Sequence, residues 1–379
     1  MKDRYNKFVF EDERGITFEA SAEQGMTLEV SEEAGGVLKI RACKKVVDET
    51  PREAGNNSDI EAKNIATSFS DLPAVSAGEY AEKLSLYTDE DGNHAVIPPG
   101  WTVSGVKKEN TVWGKNVSVV IYKLPKDNVE GINWTDEETV ELLKRTYSQL
   151  VWCLVSMLDS DGKYFNEKFG RRNFMNDKFS EDEFHEDVDP EMRESVKLYG
   201  GFYISRYHIS KSETSGKPQS VKGVKPWTNI NYPNAREVAF SFEVNEVVKS
   251  FITSGAGFDS VMSWVRKTGT KSDEEISEDS TNWGNYWNSK NSARRVVETG
   301  SKEEYYACNI ADIAGNVDEW TTEEYGGSCS VLRGGDYLND GYYYPAAFRN
   351  YYNPNFDYYD SCFRAMLYIV AHHWSKIVF

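Results

Sequence analysis

The C-terminal half of the chain, from Gly200 onward, combines weak periodicity with many aromatic and glycine residues. Its clearest strand signal is "GGFYISRYHIS" (Gly200–Ser210), in which apolar and polar residues alternate. Beyond it come short glycine-punctuated segments such as "IADIAGNVDEWT" (Ile310–Thr321) and "RGGDY" (Arg333–Tyr337), without a sustained period. Because aromatic side chains supply much burial per residue, this region is predicted to be ordered but rich in loops.

One segment near the C-terminus has an unusual composition. Between Asp336 and Ser361 lie eight of the 23 tyrosines of the chain, with four asparagines and four aspartates. Tyrosine offers a large amphipathic contact area for two side-chain torsions, and Asn, Asp and Ser add adaptable hydrogen bonds, as in antibody loops. The segment is therefore predicted to contact a ligand. The predicted contact residues are Asp336, Tyr337, Asn339, Asp340, Tyr342, Tyr343, Tyr344, Asn350, Tyr351, Tyr352, Asn353, Asn355, Asp357, Tyr358, Tyr359 and Asp360.

A second interpretation of the same segment is that its tyrosines only pack against a sheet, as in an ordinary structural loop. From position alone, Tyr337, Tyr343 and Phe348 are candidates for such internal packing. Tyr342, Tyr351, Tyr352, Tyr358 and Tyr359 are the favoured exchangeable contact residues.

The charge balance restricts the partners. The formal net charge is −18, so binding to nucleic acid, which requires a basic face, is disfavoured. No apolar run is long enough to span a bilayer, so membrane insertion is not expected. The first residues, "MKDRYNKFVFEDERG", are charged where a secretory signal needs an apolar core, so Sec export is not expected. The five cysteines are widely spaced and predict reduced, mostly buried thiols.

The N-terminus contains an internal repeat. Units beginning at Gly15, Gly25 and Gly36 each show glycine, alternating apolar and polar residues, and a polar turn, a pattern typical of short half-buried strands. Such strands cannot bury their apolar faces alone, so residues 1–46 are predicted to attach the protein or to form an oligomer, for example a trimer. A plain β-meander within one subunit remains open. Residues 47–76 are polar and predict a linker, and residues 77–379 form the main domain.

Within the main domain, several elements are predicted from local patterns. Val119–Tyr122 is a strand, and a helix begins at Thr135 as N-cap with Glu138 as capping-box partner. "QLVWCLVSM" either continues that helix or forms a buried strand. Two further helices are predicted in "YPNAREVAFSFEVNEVV" and in "SGAGFDSVMSWVRKTG", the second ending at Gly269.

The order of motifs resembles a known family. After "GGFYISRYHIS" come "KGVKPWTNINYPNARE", "SWVRKTG", "IADIAGNVDEWT", "RGGDY" and "CFRAML". This order is similar to the formylglycine-generating-enzyme-like branch of the C-type lectin fold, whose pattern is GNVWEW, then RGGSW, then GFR. The resemblance covers roughly residues 95–369 and is clearest over 199–369. It implies an α+β domain of the C-type lectin fold behind the small β-repeat domain.

The chain departs from the oxidase members of this family at two places. Those members carry a catalytic cysteine pair just after the RGG segment, and the matching positions are Asn339 and Tyr344. Thiolate chemistry, and the copper that such thiols bind, requires sulfur there, so a non-catalytic protein is favoured. The alternative is a formylglycine-generating-type oxidase or a related enzyme. The glycine of GFR is Cys362 here.

Other members of this branch are the variable proteins of diversity-generating retroelements, often phage tail-tip receptor-binding proteins or bacterial surface proteins. Their variable region lies between RGG and GFR, because error-prone reverse transcription converts Asn codons to Tyr, Asp, Ser and His. The resemblance implies a hypervariable adhesin with its variable region at about 336–361. Its partner would be a protein or glycan on a target cell surface. Its location would be a virion tail, or the cytoplasm before assembly. A structural virion protein of fixed sequence is a further alternative.

The resemblance also implies a structural calcium ion beside the GNVDEW segment. The matching side-chain ligands are Asp312 and Glu319, and the matching backbone carbonyls belong to Gly315 and Val317. Hard oxygen ligands of this kind suit Ca²⁺. The alternative is a carboxylate that hydrogen-bonds the turn without a metal.

Overall fold

The computed structural model describes residues 72–155, 169–170, 184–186, 188–290 and 292–370, and the backbone of four N-terminal strands. The chain divides into two compact units, Met1–Lys63 and Asn64–Phe379. Most of the predicted linker lies outside the described residues. Leu72 and Val75 are already buried within the second unit, and the predicted boundaries at 46 and 77 stay predictions.

The N-terminal unit contains the strands that its repeat predicts. They form two antiparallel hairpins, in which Phe8 lies opposite Ala20 and Val30 lies opposite Ile40. The role of these strands in attachment or oligomerisation stays a prediction. The four strands are β1 (Tyr5–Glu11), β2 (Thr17–Glu23), β3 (Met26–Glu33) and β4 (Val37–Lys44).

The second unit combines helices with many short strands. Its helices within the described residues are α1 (Glu137–Thr146), α2 (Pro190–Tyr199), α3 (Tyr232–Phe240), α4 (Gly255–Lys267) and α5 (Asp273–Ser277). Its strands there are β5 (Tyr80–Ala81), β6 (Ser85–Thr88), β7 (His94–Ile97), β8 (Trp101–Val103), β9 (Val120–Tyr122), β10 (Gln149–Leu154), β11 (Phe184–His185), β12 (Gly201–Ser205), β13 (Ser210–Lys211), β14 (Pro218–Gln219), β15 (Val248–Ile252), β16 (Tyr306–Ala307), β17 (Ile310–Ala311), β18 (Asp318–Tyr325), β19 (Cys329–Arg333), β20 (Asn350–Tyr352), β21 (Ser361–Phe363) and β22 (Ala365–Ile369).

The larger sheet is antiparallel, with the strand order β15-β22-β12-β10-β9-β8-β5. Every residue of the central strand β10 is buried. Val151 and Cys153 face one apolar core together with Phe258 of α4, whereas Leu150 and Trp152 face a second core. A strand that is covered on both faces reads as a continuous apolar run, so "QLVWCL" is a buried strand and not a continuation of the preceding helix.

Two predicted helix boundaries are wrong. The N-cap of α1 is Asp136, whose carboxylate accepts a hydrogen bond from the backbone N–H of Thr139 at 2.8 Å, while Thr135 turns its hydroxyl to Asn133. Both residue types cap well, so backbone geometry decides between them. The helix predicted over "YPNAREVAFSFEVNEVV" ends at Phe240, and the chain then enters β15.

The smaller sheet carries the family motifs. It has the order β11-β18-β19-β20, with β21 parallel to β18. In register, Glu319 lies opposite Arg333 and Leu332 lies opposite Asn350. This pairing places the middle of the tyrosine-rich segment beside the strand that ends in RGG. No helix among the described residues is both long and apolar enough to cross a membrane.

Candidate ligand-binding face

The tyrosine-rich segment, residues 336–361, is framed by two buried arginines. Arg333 contacts the Asp259 carboxylate at 2.7 Å and lies over the ring of Phe258. Arg364 contacts Glu319 at 2.7 Å and donates to the carbonyl oxygen of Ser205 at 3.0 Å. Because buried charges require such partners, these contacts fix one end of the segment to α4 and the other to the sheets.

A third arginine lies inside the segment and is also buried. The Arg349 guanidinium contacts Glu323 at 2.8 Å and Asp259 at 2.5 Å, and it donates to the carbonyl of Phe169. Arg333 shares Asp259, so two arginines and two carboxylates form one buried ion-pair network, hereafter the arginine network. Burial and the neighbouring Arg349 lower the pKa of Arg333, whereas the two carboxylates raise the pKa of Arg349 against its burial. The burial of Arg349 is not predicted by any sequence pattern of the segment.

The backbone enters the segment through two glycines with positive φ angles. Gly334 has φ +96° and Gly335 has φ +73°. A Cβ atom on Gly335 would lie 2.6 Å from the carbonyl oxygen of Tyr344 and 2.7 Å from the ring of Tyr286. The Tyr286 hydroxyl donates to the Gly334 carbonyl at 2.6 Å. The glycines of RGG are therefore required for both conformation and close approach.

The exposed hydrophobic side chains concentrate in this segment. Of the ten large hydrophobic side chains that are exposed in the described residues, six lie between residues 336 and 361. These six are 40–61% exposed, and scattered single exposures would not produce such a cluster. They are Leu338, Tyr342, Tyr343, Tyr351, Phe356 and Tyr359.

Other tyrosines of the segment support the exposed ones. Tyr352 and Tyr358 are half-buried, with ring centroids 6.5 and 6.0 Å from that of Trp320 and 4.4 Å from each other. Tyr344 is half-buried against Phe348. Tyr343, a candidate for internal packing, is instead 49% exposed. The segment therefore contains both exposed and packing tyrosines.

Several predicted polar contact residues bond within the protein instead. Asp336 and Asp360 are buried, which places them beneath the surface and not on it. The Asn339 amide donates to Asp336, and the Asn350 amide donates to Asp318 at 2.8 Å. The remaining predicted contact residues are distributed as follows: Tyr337 and Asp340 are half-buried, and Asn353, Asn355 and Asp357 are exposed.

The carboxyl groups of Asp318, Asp336 and Asp360 lie close enough to influence one another's pKa. Burial and then Asp336 raise the pKa of Asp318 well above its usual range. Burial raises the pKa of Asp336 to about 6, and Asp360 adds to that shift. Burial also raises the pKa of Asp360. Asp318 stands at the position of the first tryptophan in the family pattern GNVWEW.

A pH-dependent effect on stability follows for Asp336. Its folded-state pKa is above its ordinary value, so its contribution to stability is present at low pH and is lost as pH rises through about 6. The stability of Asp336→Asn relative to that of the wild type is therefore expected to increase by on the order of 1–3 kcal/mol as the pH rises from about 4.5 to about 7.5. Unfolding in denaturant at both pH values measures this difference. Asp357→Asn, in an exposed aspartate of the same segment, is the control, and an equal difference for both variants would contradict the prediction.

The predicted calcium ligands are two side chains and two backbone carbonyls. Asp312 and Glu319 are buried, and the Asp312 carboxylate accepts from the N–H of Gly300 at 2.7 Å. Burial would raise the pKa of Glu319, but Arg364 and His208 outweigh burial and lower it. One carboxylate oxygen of Asp312 and one of Glu319 lack a hydrogen-bond partner among the described residues. These two oxygens are suitable donor atoms for a hard cation.

The two residues that would supply the backbone carbonyls, Gly315 and Val317, are joined by a hydrogen bond. Val317 donates its N–H to the Gly315 carbonyl at 3.0 Å, and Gly315 has φ +71°. Within the described ranges, no cluster of three or more His, Cys, Asp or Glu side chains could hold a metal ion. The predicted set uses only two carboxylates with two carbonyls, so calcium binding stays a prediction.

The positions of the oxidase cysteines are occupied by two half-buried residues of the tyrosine-rich segment. The Asn339 carbonyl accepts from the backbone N–H of Trp287 at 2.8 Å, and Tyr344 packs on Phe348. Cys153, Cys308 and Cys362 are buried free thiols, and burial raises the pKa of each. An amide side chain and a half-buried aromatic ring therefore stand where an oxidase of this family would carry thiols.

Residues 173–369 match the family model of the sulfatase-modifying factor enzyme 1-like domain. This match covers more than half of the chain, so the protein belongs to this family. The predicted α+β class and the formylglycine-generating-enzyme-like C-type lectin fold are thereby confirmed. No curated protein sequence matches the chain.

The chain is distantly similar to several solved structures. Treponema denticola variable protein 1 is 15% identical, covering 58% of this chain and 95% of that one, with a TM-score of 0.37. The Major Tropism Determinant U1 variant is 10% identical, covering 79% and 99%, with a TM-score of 0.32. PvdO from Pseudomonas aeruginosa is 14% identical, covering 69% and 100%, with a TM-score of 0.37. Likenesses this distant do not define a function.

Proposed function

We propose that this protein is a non-catalytic, hypervariable ligand-binding protein of the kind diversified by a retroelement. Residues 336–361 are its variable region. The most fitting biological role is that of a phage or prophage tail adhesin that binds a protein or glycan on a target cell surface. The N-terminal strands would attach or oligomerise it, and several copies would raise avidity.

The observation that supports this proposal best is the cluster of exposed aromatic side chains on a rigid support. Six of the ten exposed large hydrophobic side chains of the described residues lie in one segment, whose ends and middle are fixed by Arg333, Arg364 and Arg349. A rigid body that presents Tyr-rich loops is the arrangement of a binding surface. An oxidase of this family would instead need thiols at Asn339 and Tyr344.

The proposal predicts a particular gene arrangement. A reverse-transcriptase gene is expected nearby, together with a near-copy of codons 333–364 that carries AAC where this chain has Tyr or Asp. Sequencing the gene from many related isolates should show substitutions concentrated at the exposed positions of 336–361. The framework strand Val120–Tyr122 and the residues of the arginine network should remain unchanged. Substitutions spread evenly over framework and segment would argue for a virion protein of fixed function.

An assay separates the proposal from the enzymatic alternative. Incubated with a peptide that contains a CxPxR sequence and with copper, the protein is expected to leave the cysteine unchanged, as measured by mass spectrometry. Formation of formylglycine would overturn the non-catalytic assignment.

We also propose that Asp312 and Glu319, with the carbonyls of Gly315 and Val317, hold a structural calcium ion. Calcium at a hundred times its dissociation constant would stabilise the fold by about 2.7 kcal/mol. The unfolding temperature should therefore rise by a few degrees in millimolar Ca²⁺ relative to a chelator. Asp312→Asn keeps an acceptor for Gly300 and should abolish the rise, whereas Asp357→Asn should retain it. Equal unfolding temperatures with Ca²⁺ and chelator would contradict calcium binding.

A further inference from the structure

Trp287 is a large exposed side chain that borders the tyrosine-rich segment without belonging to it. Its side chain is 48% exposed, and its backbone N–H donates to the Asn339 carbonyl at 2.8 Å. The side chain of the adjacent Asn288 accepts from the N–H of Gly341 at 3.1 Å. Residues 280–297, hereafter the Trp287 loop, therefore run directly alongside the first part of the segment.

The Trp287 loop and the segment are held by the same buried groups. Tyr286 donates its hydroxyl to the Gly334 carbonyl. The buried Asn316 of the GNV motif accepts the N–H of Val297 on its side chain at 2.9 Å and the N–H of Tyr337 on its carbonyl at 3.1 Å. One asparagine therefore ties the backbone of the Trp287 loop and the start of the segment together.

Arg294 adopts an unusual backbone conformation and covers the tryptophan. Its φ angle is +51°, and its guanidinium carbon lies 4.4 Å from the centroid of the Trp287 ring. The buried Asn285 maintains the turn by accepting from the N–H of Ala293 at 3.1 Å and donating to the Arg295 carbonyl at 2.9 Å. A positive φ is uncommon for a residue with a long side chain, and such residues cluster at functional sites. Here it directs a cation onto an aromatic face.

The charge of the Trp287 loop opposes that of the rest of the chain. Between residues 280 and 297 the sequence has Lys290, Arg294 and Arg295 and no acidic residue, in a chain of net charge −18. All three cationic residues are exposed, and in the part of the chain that the structure describes none of them forms an ion pair. A local basic patch on an acidic protein attracts an acidic surface.

We propose that Trp287, with Arg294 over its ring, is a fixed anchor of the ligand-binding face and docks onto an acidic patch of a protein ligand. This inference rests on the proposed function, because it extends the same face beyond the variable region. Tryptophan and arginine are the residue types that dominate binding energy at protein interfaces. A fixed anchor would keep a common docking geometry while the tyrosines next to it change.

A protein ligand fits this part of the face better than a glycan does. Recognition of sugar hydroxyl groups needs free amide and carboxylate groups, whereas several such groups beside the Trp287 loop already form hydrogen bonds within the protein. Asn339 donates to Asp336, the Asn288 amide oxygen accepts from Gly341, and Asp340 accepts from the N–H of Tyr342 at 2.8 Å. What the surface offers instead is a contiguous group of rings and aliphatic side chains with a cation, as protein interfaces do.

The test uses selected protein binders as defined probes. A display library of small folded domains with randomised surfaces is selected on the full-length protein, and the affinity of independent binders is measured. The binders are expected to be rich in Asp and Glu, and Trp287→Ala should weaken them by about tenfold or more. Arg294→Gln should weaken them and reduce their salt dependence. Phe240→Ala, at an exposed phenylalanine on α3, is the matched control and should leave affinity unchanged.

The outcomes distinguish this inference from the proposed function. Binders that are weakened by Tyr343→Ala but not by Trp287→Ala would overturn the anchor and leave the variable face intact. Binders that ignore both substitutions would contradict the face itself. A glycan array on which Trp287→Ala abolishes binding would overturn the assignment of a protein ligand. Trp287→Phe should keep part of the affinity, and an unchanged unfolding temperature of Trp287→Ala excludes misfolding as the cause.

Discussion

Replacing Arg349 with alanine is expected to lower the free energy of unfolding by about 3–5 kcal/mol. The guanidinium contacts Asp259 and Glu323, both nearly fully buried, and its removal leaves their charges with Arg333 alone. Breaking a buried pair on one side costs far more than the pair contributes when intact, because the remaining charge is desolvated without compensation. Equilibrium unfolding in denaturant at neutral pH measures the loss.

Arg236 provides the control for this substitution. It is exposed on α3, and Arg236→Ala should change stability by no more than about 0.5 kcal/mol. If Arg349→Ala were equally mild, the arginine network would not be a structural element of the segment. Arg349 would then be open to diversification like the exposed tyrosines.

The second large effect is expected for Gly335→Ala, at about 2–5 kcal/mol of destabilisation. A left-handed conformation costs an L-residue roughly 1–2 kcal/mol. Overpacking adds about 1–3 kcal/mol, because the new Cβ would lie 2.6 Å from the Tyr344 carbonyl oxygen. The neighbouring chain must therefore shift, and the exposed loop between Leu338 and Tyr343 should move with it. Thermal unfolding and the affinity of the selected binders measure the two consequences.

Gly327 separates the two causes. It has φ +68° in the turn between β18 and β19, and a Cβ there would meet no atom within 4 Å. Gly327→Ala should therefore show only the conformational cost of about 1–2 kcal/mol. The two variants should differ, and equal losses would mean that the close approach at Gly335 contributes nothing.

Much of the fold could be predicted because the motif residues are themselves structural. Trp320, Arg333 and Arg364 are fully buried. Because these residues fill the interior of the family fold, their presence in this order predicts that fold. The β-repeat strands follow from the alternation of apolar and polar residues, and β9 follows from its β-branched apolar run. The helix boundary at Asp136 could not be predicted, because Thr135 and Asp136 are both good caps and only the backbone decides between them.

The sequence predicts the candidate site as a segment, but it does not predict which residues of that segment are exposed. Composition identifies residues 336–361, yet the division into exposed and packing tyrosines depends on the position of Trp320 in the sheet. The partners of Arg349 lie 90 and 26 residues away in sequence. A signal was nevertheless present, since Arg349 is the only cation in a segment with four aspartates. The Trp287 loop carried a similar signal, as a basic stretch in an acidic chain.

The burial of Arg349 inside the tyrosine-rich segment has a consequence for the evolution of the molecule. We expect Arg349 and the preceding Gly335 to be intolerant of substitution, and Tyr342, Tyr351 and Tyr359 to be tolerant. Exposed substitutions usually alter stability by no more than about 0.5 kcal/mol. Under the proposed function, exchange of those rings would leave the folding equilibrium almost unchanged, and a new recognition surface would need no compensating mutation elsewhere in the chain.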